Sequence, residues 1–130
     1  MRCRLGHLGL CFWGLAAAAC SGADRPVCDD VYPGPVLVLS AIDAGTSVAV
    51  KGWVATWTCS PARGGMAAEQ GGFASVDLSV SEPGTYSCIL EVTLPGYEPS
   101  TSTFSAAYQG VCVVRQGATE NRQIALNKSK

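Results

Sequence analysis

In two neighbouring segments of the chain, every second residue belongs to an apolar set and the residues between them are mostly polar. This alternation restricts the fold more than any other feature of the sequence. In residues 73–80 the apolar set is Ala74, Val76, Leu78 and Val80. In residues 86–94 the corresponding set is Tyr86, Cys88, Leu90 and Val92. A period of two places every second side chain on one face of a β-strand. Because Glu82-Pro83-Gly84 lies between the segments, the pattern predicts two strands separated by a turn.

Further short runs of strand-forming residues are separated by turn-forming ones along the chain. The runs are 36–39, 46–50, 54–59 and 100–108, with turns at 43–45 and 95–96 and a loop rich in Gly, Ala and Pro at 60–72. Around the third run, one face carries Trp53, Ala55, Trp57 and Cys59. A long helical stripe is absent after the first 19 residues. The sequence therefore predicts an all-β, antiparallel β-sandwich of about seven short strands over residues 36–109.

The residues on either side of this domain have a different character. Residues 20–35 are rich in Gly, Asp and Pro and contain little that could pack, which predicts a flexible tether. Residues 110–130 form a C-terminal extension, in which 111–114 and 123–126 could pair as a hairpin around Gly117. The alternative is a frayed end, since the last four residues are polar.

The first 19 residues have the composition of an export signal. Arg2 and Arg4 form a positively charged start, and residues 5–19 are a nearly uncharged apolar run. This run is shorter than the roughly 20 residues that a membrane-spanning helix needs, and polar residues follow it at once. We therefore expect residues 1–19 to be removed and the mature chain to begin at or near Cys20, outside the cytoplasm.

The end of this run, Leu15-Ala16-Ala17-Ala18-Ala19-Cys20-Ser21-Gly22, resembles the lipobox of bacterial lipoproteins. Ala17 departs from the pattern, because Leu is usual three residues before the cysteine. The resemblance implies cleavage before Cys20, a lipid on its thiol and an acylated amino terminus that holds the protein on a membrane. Because the residue after Cys20 is Ser21 and not Asp, the resemblance also implies that the protein is sorted to the bacterial outer membrane or cell surface. The alternative is an ordinary signal peptide, which would release a soluble secreted protein.

The chain has seven cysteines, of which Cys3 and Cys11 lie in the leader. With Cys20 lipidated, four remain, namely Cys28, Cys59, Cys88 and Cys112. An even count in a small exported domain favours disulfides, and four cysteines allow three connectivities. A zinc site is the alternative, but gaps of 31, 29 and 24 residues lack the close pairs of such sites. Without lipidation an odd fifth thiol would remain, which is a second argument for a lipid on Cys20.

Charge and histidine content argue against several classes of function. Removal of Arg2 and Arg4 leaves seven basic residues against ten acidic ones, a net charge of −3, which does not suit binding to nucleic-acid phosphates. The single histidine, His7, lies in the leader, so the mature chain lacks the usual general base and the commonest metal ligand. We therefore expect no enzymatic activity, no cofactor and no metal.

The acidic residues give two weaker candidates for chemistry. A calcium site could draw on Asp29, Asp30 and Asp43, but these lack the spacing of a dedicated calcium loop. A glycosidase pair could draw on Asp77, Glu82 and Glu91, but ordinary surface charge is the simpler interpretation in so small a domain.

Two segments taken together resemble an immunoglobulin-like domain of the PKD type (polycystic-kidney-disease repeat). Residues 55–62, ATWTCSPA, are similar to the family's Trp-bearing strand and the Pro-containing loop after it. Residues 73–92 are similar to a strand, a Pro-Gly corner and the G-x-Y-x-x-x-L-x-V strand. The resemblance implies a sandwich that contacts proteins or glycans at the cell surface and has no catalytic activity. It also implies that Tyr86 forms the tyrosine corner of such sandwiches.

The resemblance further implies a disulfide pairing. Immunoglobulin domains link their second and sixth strands, but residues 46–50 contain no cysteine. In the PKD-type arrangement Cys59 lies on the Trp-bearing strand beside the strand of Cys88, which implies a Cys59–Cys88 bridge. Cys28 and Cys112 are then predicted to form the second one.

Two features are candidates for binding. Trp53 lies at the start of a strand beside Gly52, where it could stack on a carbohydrate, whereas Trp57 is expected in the core. The loop at 60–72 is the second candidate, because loops on rigid sandwiches carry function, although a solvated connection is the simpler interpretation. The sequence thus predicts a surface lipoprotein with a binding or spacer role. The alternative is a soluble, disulfide-stabilised effector or inhibitor.

Overall fold

Eight strands form two sheets that pack face to face in the residues that the computed structural model describes, 33–110 and 112–130. The strands are β1 (Leu37–Asp43), β2 (Val54–Ser60), β3 (Arg63–Ala68), β4 (Ala74–Val76), β5 (Gly84–Thr93), β6 (Ser100–Gln109), β7 (Val114–Gln116) and β8 (Glu120–Leu126). One sheet has the order β4-β1-β8, and the other has the order β3-β2-β5-β6-β7. The chain is an immunoglobulin-like β-sandwich, which confirms the predicted fold class. Within these residues there is no helix of the length and apolarity needed to cross a membrane.

The core lies between the sheets and consists of every second residue of the longer strands. In β5 the predicted face is buried, and the residues between its members point outward. The same alternation runs through β1 and β2. The largest fully buried side chains are Trp53, Leu37, Leu39, Leu90, Leu126, Val76 and Val92. Each such Leu or Val contributes about 1.5–3 kcal/mol relative to an exposed position, so the alternation in the sequence supplies much of the driving force for folding.

The predicted tyrosine corner is present. The Tyr86 hydroxyl donates a hydrogen bond to the carbonyl oxygen of Glu82 at 2.9 Å. The ring of Tyr86 also meets that of Tyr108 edge to face, with the centroids 5.8 Å apart. These contacts fix the course of the chain where it enters β5.

The predicted strand over residues 46–50 is wrong. The chain turns at 44–46 and makes only one isolated bridge, between Ala49 and Ile42. Ser47 has a φ of 59°, a left-handed conformation that interrupts a strand. The carboxylate of Asp43 closes the turn by accepting hydrogen bonds from Gly45 N and Thr46 N, and the backbone bonds Asp43 N to Val48 O and Val50 N to Ala41 O form the bridge.

The predicted loop at 60–72 is also wrong, because it contains β3. This strand pairs with β2 along its whole length, from Ala68 opposite Val54 to Arg63 opposite Cys59. Its inward side chain at position 65 is missing, since Gly65 lies against the indole of Trp57. A Cβ atom there would lie 2.7 Å from Cε2 of that indole. Glycine leaves room for the tryptophan and removes the alternation by which a strand is recognised.

The predicted hairpin in the C-terminal extension is wrong, since β7 and β8 lie in different sheets. β7 pairs with β6, whereas β8 runs parallel to β1 from Leu37 opposite Glu120 to Asp43 opposite Leu126. The alternative of a frayed end is wrong as well. After β8, Asn127 O accepts a hydrogen bond from Glu98 N, and Ser129 N donates one to Gly96 O. Residues 112–130 therefore complete the sandwich.

Candidate binding surface

The outer face of the five-stranded sheet carries mostly hydroxyl side chains on β2, β5 and β6. Residues that are directly opposite each other on antiparallel strands share a face, so Ile89 lies between Thr58 and Thr103. The adjacent row places Glu91 between Thr56 and Thr101. Nine hydroxyl residues occupy this face on β2, β5 and β6: Thr56, Thr58, Ser60, Thr85, Ser87, Thr93, Thr101, Thr103 and Ser105. Neighbouring strands are about 4.8 Å apart, so the hydroxyls form a regular array.

This face is nearly uncharged and carries exposed apolar side chains. On β2, β3, β5 and β6, the charged residue that points outward is Glu91. Ile89 is 57% exposed in the middle strand of the sheet. Met66, opposite Thr56 on β3, is 72% exposed. A surface of this kind can exchange hydrogen bonds through its hydroxyls and bury apolar area without the desolvation of several charges.

A groove of about 440 Å³ runs along β3, where the two sheets separate. Trp57, Gly65 and Met66 line it on one side, and Asp77 and residues near it line the other. The Arg63 guanidinium crosses from β3 toward the opposite wall and donates a hydrogen bond to Ser81 Oγ at 3.3 Å. The region that the sequence marks as a candidate binding loop is therefore a strand that borders a groove.

A disulfide lies directly behind the hydroxyl face. Cys59 and Cys88 are bonded and stand opposite each other on β2 and β5, which confirms the predicted bridge. Both residues are buried. The bridge therefore joins β5, the central strand of this sheet, covalently to its neighbour β2.

The second predicted bridge stays a prediction. Cys112 is disulfide-bonded, whereas Cys28 lies outside the described residues, as does Cys20. Arg115, in the strand that follows Cys112, donates a hydrogen bond to Pro35 O. The start of β1 and the segment around Cys112 therefore lie at the same end of the sandwich.

Trp53 is not a carbohydrate platform, contrary to that candidate role. Its side chain is 0% exposed, and its indole Nε1 donates a hydrogen bond to Val50 O at 3.2 Å. The signal for this was in the sequence, since Trp53 belongs to the face that also carries Ala55 and Trp57. Trp57 lies in the core, as predicted.

The acidic candidates lie apart from one another. Asp77 lines the groove, Glu91 lies on the outer face, and the Glu82 carbonyl holds the tyrosine corner. Asp43 serves the turn after β1, whereas Asp29 and Asp30 lie outside the described residues. Within residues 33–110 and 112–130, no group of three or more His, Cys, Asp or Glu side chains could hold a metal ion.

Glu69, directly after β3, has a structural role. Its carboxylate accepts hydrogen bonds from the backbone N–H groups of Gly52 and Gly72. These two bonds hold the pKa of Glu69 below its usual value, so the side chain stays ionised. The sequence offered no signal for this contact, because 17 residues separate Glu69 from Gly52.

The chain matches no protein-family model, and no curated protein matches it significantly. The PKD-type resemblance therefore rests on its two sequence motifs.

Proposed function

We propose that this protein is a non-enzymatic surface lipoprotein, anchored in a membrane through Cys20, whose PKD-type sandwich binds a protein or a glycan at the cell surface. The observation that carries the binding role is the outer face of the five-stranded sheet, with nine hydroxyl residues, one carboxylate and an exposed Ile89 at its centre. The anchor is supported by the lipobox-like run that ends at Cys20.

The chemistry of the face suits an uncharged partner. Hydroxyl groups both donate and accept hydrogen bonds, so they can meet the backbone of a protein or the hydroxyls of a sugar. Interface centres are depleted in charged residues, and a single Glu91 meets that condition. The Cys59–Cys88 bridge behind the face limits the conformational entropy that binding would cost.

Mass spectrometry of the mature amino terminus tests the anchor. In the bacterial membrane fraction, we expect a first residue Cys20 that carries a diacylglyceryl group and an acylated amine. The Cys20→Ser variant is expected in the soluble fraction. A wild-type chain that is soluble and begins beyond Cys20 would contradict the anchor and would favour the secreted effector or inhibitor.

Binding of the purified mature protein to intact bacterial cells and to a glycan array tests the face. Ile89→Glu adds a second carboxylate at its centre, and we expect at least a tenfold loss of affinity, about 1.4 kcal/mol. Gln123→Glu is the matched control, because Gln123 is exposed on β8 of the other sheet. Equal losses in both variants would rule out the face as the binding site. Absence of binding to every probe would leave the spacer role.

A further inference from the structure

The outer edge of β3 presents backbone groups that point away from the sheet. β3 ends the order of the five-stranded sheet, and β2 is its only neighbour in the described part of the chain. Glu69 N donates a hydrogen bond to Trp53 O at 2.9 Å, so this pair is a hydrogen-bonded pair of the β2–β3 ladder. Such pairs recur at every second residue. The N–H and C=O groups of Gly64, Met66 and Ala68 therefore point outward.

The Cα separation of the two bridged cysteines provides an independent check of this alternation. If Arg63 and Cys59 form a hydrogen-bonded pair, the backbone groups of Cys59 face β3 rather than β5. Cys59 and Cys88 must then be a non-hydrogen-bonded pair, for which the Cα atoms are close, about 4.5 Å apart. The observed Cα–Cα distance is 4.0 Å.

We propose that two copies of this protein pair edge to edge through antiparallel β3 strands, about a two-fold axis at Met66. In this register Met66 stands opposite the partner's Met66, and Gly64 stands opposite the partner's Ala68. The backbone N–H and C=O groups of Gly64, Met66 and Ala68 then face the same groups of the partner strand. The three residue pairs form about six hydrogen bonds. The two five-stranded sheets become one continuous sheet of ten strands.

Charge complementarity selects this register. It places Arg63 opposite the partner's Glu69, and the two-fold axis repeats the pair. Both side chains lie on the face of the sheet that is turned toward the core, since Arg63 is opposite Cys59 and Glu69 is opposite Trp53. A shift by one residue would place the free backbone N–H and C=O groups of one β3 strand opposite residues of the partner whose backbone groups already bond to β2. A symmetric shift to an axis at Gly65 or Ala67, the nearest registers that keep these backbone groups facing one another, would lose both ion pairs and shorten the ladder.

The side chains at the edge also favour a second copy. Met66 is 72% exposed and would pack on the partner's Met66 across the axis. On the outer face, the junction would carry Gly64, Met66 and Ala68 of both copies, so no block of like charge opposes the pairing. The interface is small, so the dimer should be weak in solution. If the proposed lipid anchor is present, it raises the effective concentration by confining both copies to one surface, but the pairing does not depend on it.

Cysteine crosslinking tests the register on the mature protein with its native disulfides intact. The Met66→Cys thiols would lie on Cα atoms about 5.5 Å apart, within the range for a disulfide. Ala68→Cys is the matched control, because the two copies of position 68 would be about 14 Å apart. We expect a disulfide-linked dimer on mild oxidation of Met66→Cys and none for Ala68→Cys. Equal crosslinking of both variants, or of neither, overturns the register.

Sedimentation equilibrium tests the dimer without new cysteines. We expect a reversible monomer–dimer equilibrium whose dissociation constant rises at least about tenfold in Met66→Lys and in Arg63→Glu. Ile89→Lys, on the same face but in the central strand, should leave the constant unchanged, and circular dichroism confirms that each variant is folded. A monomer at every concentration up to about 1 mM overturns the dimer whatever the crosslinking result. An equal effect of Ile89→Lys overturns the edge as its site.

Discussion

Tyr97 donates a hydrogen bond from its hydroxyl to Oδ2 of Asp43 at 2.9 Å, although 54 residues separate the two in sequence. The other carboxylate oxygen of Asp43 closes the turn after β1 through Gly45 N and Thr46 N. Lys128 Nζ, in the C-terminal segment, lies 3.4 Å from Oδ2. One nearly buried carboxylate thus ties together the end of β1, the β5–β6 connection and the C-terminal residues.

The stability of the protein should therefore depend on acid pH through Asp43. The Tyr97 hydroxyl is the largest of several contacts that lower the pKa of Asp43 from 3.8 to about 2. Because the folded-state pKa is depressed, the stabilisation is complete above about pH 4 and is lost as pH falls toward 2. We expect urea unfolding to show that the Asp43→Asn variant is less stable than wild type at neutral pH, and that the two converge at about pH 2. A difference that is independent of pH would show that the charge of Asp43 does not contribute.

Loss of the Cys59–Cys88 bridge should destabilise the fold strongly. The bridge closes a loop with a sequence separation of 29, for which the chain-entropy model gives about 3–4 kcal/mol. We expect Cys59→Ala/Cys88→Ala to lower the free energy of unfolding by that amount in guanidinium titrations. A loss below about 1 kcal/mol would show that the unfolded chain is already restricted without this bridge.

Gly65→Ala should disturb the packing of β3 on β2. The added methyl group meets the indole of Trp57, and overpacking of this kind costs about 1–3 kcal/mol. The near-ultraviolet circular dichroism of Trp57 should change along with stability. Met66→Ala is the control on the same strand, where an exposed position should change stability by less than about 0.5 kcal/mol. Equal effects of the two substitutions would contradict the close approach of Gly65 to the indole.

Trp53→Ala distinguishes a core residue from a surface platform. Trp53 is fully buried, so its truncation should cost about 3–5 kcal/mol. Ile89→Ala, at the exposed centre of the outer face, should cost less than about 0.5 kcal/mol. Thermal or chemical unfolding measures both. A Trp53→Ala variant as stable as wild type would contradict its place in the core.

The strands that the sequence predicts well are those with one buried and one exposed face. β5 and β6 follow this rule along most of their length, and so does β2. β3 breaks it, because Gly64 and Gly65 contribute no side chains and the remaining positions are mostly exposed. Apolar and polar residues alternate where one face of a strand is buried, so a strand that buries almost nothing does not show this pattern.

The candidate surface could be predicted only in part. The period of two places Thr56 and Thr58 on the face opposite Trp57, and it places Ile89 opposite Leu90. It cannot show that these faces adjoin, because strand order and register depend on contacts between distant segments. For the same reason, no local pattern indicated that Glu69 would hold Gly52, or that Asp43 would meet Tyr97.

The fold class, the buried faces of β2 and β5 and, through a family resemblance, the Cys59–Cys88 bridge could be predicted from the sequence alone. Each of these follows from local periodicity or from a short motif. The places of β3 and β8 and the identity of the exposed edge depend instead on contacts between distant segments. β8 reaches β1 from more than 80 positions away, in a parallel pairing that no adjacent turn could specify. The alternation of apolar residues within a strand determines which face that strand buries. The packing of the core between the two sheets determines which strands become neighbours.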